Sequence, residues 1–125
     1  MNISILYEEL GTINGYYNKP LRMKQIHINC NLNYRMKKFT CAHELGHAII
    51  HPDSNTLFLR NVTLFSIDKF ELEANTFAIN LLIPDEAIIE NNTLTTEQLS
   101  RVLGYEQALI ELRLKYFSYP DNIHK

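Results

Sequence analysis

Cysteine is too scarce in this chain to staple it: Cys30 and Cys41 are the only two in 125 residues. That argues against a secreted disulfide framework. Their separation is not the Cys-x-x-Cys spacing of a metal or redox site, so both are expected as buried structural thiols. An excess of charge of one sign is missing too, with 12 basic and 14 acidic residues. Such a balance speaks against a broad nucleic-acid-binding surface and offers no basic stripe to a membrane. No run of about 18 apolar residues occurs, and Met1-Asn2-Ile3-Ser4-Ile5 lacks the charged start of a secretory leader, so the cytoplasm is the expected location. The 46% hydrophobic content lets a single domain over residues 1–125 bury a core unaided.

What is present is concentrated in His43-Glu44-Leu45-Gly46-His47. An α-helix returns to the same face after about four residues, so His43 and His47 can close on one metal ion while Glu44 is rotated aside. Neutral imidazoles holding Zn²⁺, with an unligated glutamate as base for a metal-activated water, is the chemistry this spacing serves. The pattern works only on a helix. Between Tyr34 and Ile50 there is no proline, Phe39, Ala42, Leu45, Ala48 and Ile49 fall at helical spacing, and Pro52 supplies the stop. Cys41, two positions before His43, points to another face.

Upstream, Ile26, Ile28, Cys30 and Leu32 alternate with His27, Asn29 and Asn31, the period of a half-buried strand. Gly15-Tyr16-Tyr17 can begin an earlier strand, with Asn18-Lys19-Pro20 as the turn. The expected fold class is α+β: a small antiparallel sheet packed on the metal-binding helix and a second ligand helix, followed by a C-terminal helical pair. The metal-site core spans 26–84 and the helical pair 95–117.

Two histidines and a water leave a tetrahedral site one protein ligand short. Asp53 is a poor source, because Ile50 stands where a glycine would be needed to turn the chain back to the metal. The better source is the helical run from Asp68 to Leu82, ending near Pro84. Asp68 and Glu71 read as a capping box, which gives Glu71 a structural task at the helix start. Glu73 has no such task and lies beside the small Ala74 and Ala78, so Glu73 is the expected third ligand and Glu71 the reserve. His51 shares a face with His47 but sits about 5–6 Å farther along the axis, and is expected to support the site or cap the helix.

Phe39-Thr40-Cys41-Ala42-His43-Glu44-Leu45-Gly46-His47, Glu71-Leu72-Glu73-Ala74-Asn75-Thr76-Phe77-Ala78 and Leu81-Leu82-Ile83-Pro84 together resemble the ImmA/IrrE family of zinc metallopeptidases, over roughly residues 26–116. The resemblance implies a compact cytoplasmic α+β peptidase of a bacterium or its prophage that cuts or inactivates a helix-turn-helix repressor. It assigns zinc to His43, His47 and Glu73, with Glu44 as catalytic base. The additional DNA-binding domain of some relatives is not expected here, and the apolar stretch 57–65 matches no part of the family pattern; a strand, a flap over the site and a self-association patch are all open for it.

Residues 94–105 read as the first helix and turn of a helix-turn-helix, with Thr95 and Gln98 as a capping box and Gly104 at the turn. The next helix carries Glu106, Gln107 and Glu111 where a DNA reader needs Arg, Lys or Asn, and Tyr105, Leu109, Leu112 and Tyr116 form a packing stripe. No direct DNA binding is expected. The expected activity is zinc-dependent endopeptidase action on a protein; the alternative is a non-proteolytic antirepressor with a structural metal site. The intact Glu44 speaks against the alternative, since a purely structural zinc site needs no base.

Overall fold

The computed structural model describes residues 2–59 and 64–118. Three strands, β1 (Ile3–Glu8), β2 (Gly15–Asn18) and β3 (Lys24–Asn29), form one sheet in the order β1-β3-β2. The helices are α1 (Tyr34–Ile50), α2 (Thr56–Leu59), α3 (Leu64–Leu82), α4 (Asp85–Glu90), α5 (Thr96–Leu103) and α6 (Gln107–Lys115). The α+β class holds, but the sheet is mixed rather than antiparallel. β2 pairs antiparallel with β3, Tyr16 opposite His27, while β1 pairs parallel, Leu6 opposite His27. β1 has no clean alternation and leaves Ile5, Leu6 and Tyr7 exposed, so backbone pairing rather than burial holds it in place.

The chain divides into two compact units, 1–78 and 79–125. In the first, Ile26 and Ile28 point from β3 into a core with Tyr17 and Ala48, against which Leu45 and Cys41 pack. Full burial of an isoleucine side chain such as Ile26 or Ile28 contributes about 1.5–3 kcal/mol. The other face of β3 is polar and satisfied: His27 stacks on Tyr16 at 4.2 Å and bonds Glu8 and Asn18, while Asn29 donates to the carbonyls of Gly11 and Ile13. β2 lies so close to α1 that a Cβ on Gly15 would sit 2.6 Å from Thr40 Cγ2, which restricts that position to glycine. Cys30 and Cys41 are free and half-buried.

α1 has the expected bounds, started by Asn33, whose side chain accepts the Met36 N–H, and ended at His51, whose N–H reaches the His47 carbonyl. Ile49 and Ile50, however, are exposed. α3 begins at Leu64, about two turns before Glu71. Asp68 is therefore inside the helix rather than at its start, which is the place the expected capping box requires. Residues 57–59 are helical in α2 and 64–65 open α3, so no strand forms in these parts of the apolar stretch; 60–63 lie outside the described residues.

In the second unit, Ile79, Ile83, Ile88, Leu99 and Ile110 form the core, with Tyr105, Leu109 and Leu112 packed on it as the stripe anticipates; Tyr116 is exposed. Thr95 and Gln98 make the capping box and Gly104 closes α5 at φ 84°. Arg113 is buried, its Nε donating to the Ile83 carbonyl at 2.9 Å and its guanidinium pairing with Asp85.

Candidate metal centre

α1 and α3 approach closely because both present small residues at the crossing. A Cβ on Gly46 would lie 3.2 Å from Ala74 Cα and from Phe77 Cβ, and Ala74 and Ala78 are fully buried. Close contact of helix backbones brings side chains on the flanking positions within bonding reach of one another. Glu71, Asn75 and Ala78 recur at helical spacing on α3, and His43 and His47 do so on α1.

The carboxylate of Glu71 meets both imidazoles, one oxygen 3.1 Å from His43 Nε2 and the other 2.9 Å from His47 Nε2. His43, His47 and Glu71 are the group of possible metal donors found among the described residues, with donor atoms within 4.8 Å of one another. Donors each about 2 Å from a tetrahedral zinc stand about 3–3.5 Å apart, close to the two carboxylate–imidazole separations, so two imidazoles and a carboxylate suit such an ion. Both histidines are buried, His47 completely, while Glu71 remains partly open.

The remaining ring nitrogens are also engaged. His43 Nδ1 lies 2.8 Å from Asn75 Oδ1; an amide oxygen only accepts, so Nδ1 is the donor in this pair, and a neutral ring then keeps the Nε2 lone pair on the side of Glu71. His47 Nδ1 faces His51 Nδ1 at 3.3 Å, and His51 Nε2 lies 3.0 Å from Glu73 Oε1.

Glu73, the expected third ligand, is thus placed elsewhere, on His51, and the reserve Glu71 occupies the position between the two histidines. The physical reason is the earlier helix start: Glu71 has no N-terminal task, and it lies on the same stripe as Asn75 and Ala78. Spacing from Ala74 and Ala78 carried that signal, since residues three, four and seven apart share a helix face whereas Glu73 is rotated off it. Asn75 and Thr56 were not singled out from the sequence by chemistry at all.

Glu44 is 1% exposed, and Thr56 Oγ1 donates to its Oε1 at 3.1 Å. The same hydroxyl oxygen accepts the Tyr17 N–H at 2.6 Å, so β2, α1 and α2 meet at one buried atom. Burial, followed by the Glu44 carboxylate, pushes the Cys41 thiol above its ordinary range, which keeps it protonated and unsuited to ligation. Asp53 is bonded to Lys19, which holds its carboxyl below the usual value and commits it away from the histidines.

Comparison with known proteins agrees with this chemistry. Residues 1–115 match the peptidase M78 model described as the IrrE N-terminal-like domain. The chain is 45% identical over 116 residues to an uncharacterized immunity region protein 2 of Bacillus phage phi105, covering 90% of this chain and 73% of that protein. It is 33% identical over 121 residues to the metallopeptidase ImmA of Bacillus subtilis (strain 168), covering 95% of this chain and 64% of that one. The chain therefore spans less than two thirds of the ImmA length. With the family model covering nearly all of it and a His-Glu-x-x-His helix packed on a carboxylate-bearing partner, the chain belongs to the ImmA/IrrE family of metallopeptidase domains.

Proposed function

We propose that this chain is a zinc-dependent endopeptidase domain in which His43, His47 and Glu71 hold the ion and Glu44 is the catalytic base. The observation that carries the reading is the convergence within 4.8 Å of two imidazole nitrogens from α1 and one carboxylate from α3, with the buried Glu44 on α1 beside them. When bound, zinc supplies Lewis acidity toward the scissile carbonyl and makes water acidic enough to attack near neutral pH. Glu44 takes the proton from the attacking water and returns one to the leaving amine. Thr56 orients its carboxylate, and Asn75 keeps His43 in the tautomer that can ligate.

The substrate class is a protein, and we take it to be a helix-turn-helix repressor of a prophage or mobile element acted on in the cytoplasm. The phage immunity-region relative supports this choice. No helix among the described residues is long and apolar enough to cross a membrane.

Glu44→Gln separates chemistry from binding. It retains the size of the side chain and cannot accept the proton, so zinc content measured by elemental analysis stays near one per chain while cleavage of the repressor encoded beside the gene falls by about 10²–10⁴-fold. Relief of repression in cells by Glu44→Gln at equal abundance would instead make the chain a stoichiometric antirepressor.

A further inference from the structure

We propose that His51 and Glu73 form a positioning relay that fixes the ligating tautomer of His47. The proposal rests on the reading that His47 binds metal through Nε2, and it assigns a task to two residues that reading leaves unused. A neutral imidazole has one N–H and one lone pair. If His47 offers the lone pair of Nε2 to the ion, its Nδ1 carries the proton and must donate. The partner 3.3 Å away is His51 Nδ1, which must then accept, so the His51 proton is on Nε2. That nitrogen lies 3.0 Å from Glu73 Oε1, an acceptor. The three side chains have one consistent proton arrangement, and it leaves the His47 lone pair facing Glu71.

The surroundings hold His51 for this task. Its ring packs on Phe70 with centroids 4.1 Å apart, its side chain is 9% exposed, and its backbone is tied on both sides, the N–H to the His47 carbonyl and the carbonyl to Ser54. A carboxylate behind a ligating imidazole raises its basicity and orients the ring; here the carboxylate acts through one further imidazole.

Zinc affinity of the full chain, measured by competition with a chromophoric chelator, is the first readout. Glu73→Ala and His51→Ala are each expected to weaken binding about 10–100-fold, and the double variant no more than His51→Ala alone, because Glu73 has no route to His47 without His51. Glu73→Gln, which retains an acceptor, recovers most of the Glu73→Ala loss. The second readout is the long-range ¹H–¹⁵N spectrum of the zinc-loaded protein, expected to show Nδ1–H at His47 and Nε2–H at His51; a merely structural role for His51 does not select this pair. Affinity unchanged in Glu73→Ala, additive losses in the double variant, or Nδ1–H at His51 overturns the relay. Complete loss of zinc in Glu73→Ala also overturns it, by making Glu73 a ligand. Glu71→Ala distinguishes the two levels: retention of zinc there sinks the metal site itself, whereas its loss alongside an unaffected Glu73→Ala sinks only the relay.

Discussion

Thr56 illustrates how much a single hydroxyl can hold at the residue scale. It is 1% exposed, accepts the Tyr17 N–H and donates to Glu44. Thr56→Val retains the shape and removes both bonds. A buried polar group left without its partner costs about 1–3 kcal/mol, so urea unfolding is expected to register a loss in that range. Zinc content should persist, since Thr56 touches no proposed ligand, while cleavage falls because a base displaced by about 1 Å can cost about 10²-fold. Tyr17 provides a pH test. Its side chain is fully buried and its hydroxyl donates to the Pro52 carbonyl at 2.6 Å; burial, then the Asp53 charge, raises its pKa above the ordinary tyrosine value. A folded-state pKa above the unfolded one contributes stability that is complete below about pH 10 and is lost as pH rises through the folded value. Tyr17→Phe should therefore be less stable than the parent near neutrality, with the gap narrowing in alkaline denaturation curves.

The crossing of α1 and α3 is where an element-scale change should separate affinity from stability. Alanine in place of Gly46 gains about 1 kcal/mol of helix propensity. Its Cβ would meet α3 backbone and the Phe77 stem at 3.2 Å, and overpacking costs about 1–3 kcal/mol. The opposing effects leave a small net destabilisation of the metal-free protein. Ligand geometry does not benefit from the propensity gain, because pushing α3 away moves Glu71 from both histidines. Chelator competition should show Gly46→Ala binding zinc at least about tenfold more weakly, and an unchanged affinity would mean the close approach is unrelated to the site.

Across the whole molecule, the proposed chemistry belongs to one compact unit and the C-terminal helices to another. His43, Glu44, His47 and Glu71 all precede residue 79, while Arg113 serves the second core through Ile83 and Asp85. Asp85 is well exposed and stays solvated when its partner is removed, so Arg113→Ala is expected to cost about 1–3 kcal/mol for the lost buried bonds rather than the larger penalty of a stranded charge. Its zinc affinity should equal that of the parent. The same burial removes Arg113 from any surface role, and Arg101 is already paired with Glu97. With a net charge of −2, salt-sensitive duplex binding in a low-salt gel shift is not expected; sub-micromolar binding lost in Arg101→Ala would make α5 and α6 a DNA reader.

Local rules were enough for much of this protein. The bounds of α1, the capping box of α5, the αL glycine after it and the two-stranded part of the sheet follow from periodicity, caps and turn residues, whose effects act within a few positions along the chain. His43, Glu44 and His47 belong to the same class, because one helical turn brings the two imidazoles to one face and turns the glutamate aside. β1 was not legible, since its pairing depends on main-chain bonds to a distant strand and its side chains remain exposed. The choice between Glu71 and Glu73 had a signal in the spacing from Ala74 and Ala78, but it turned on where α3 begins and on which stripe of α3 faces Gly46. Two glutamates two residues apart look alike in a string; on a helix they are rotated roughly 200° from each other, and only the packed partner decides which one meets the histidines and which one stands behind them.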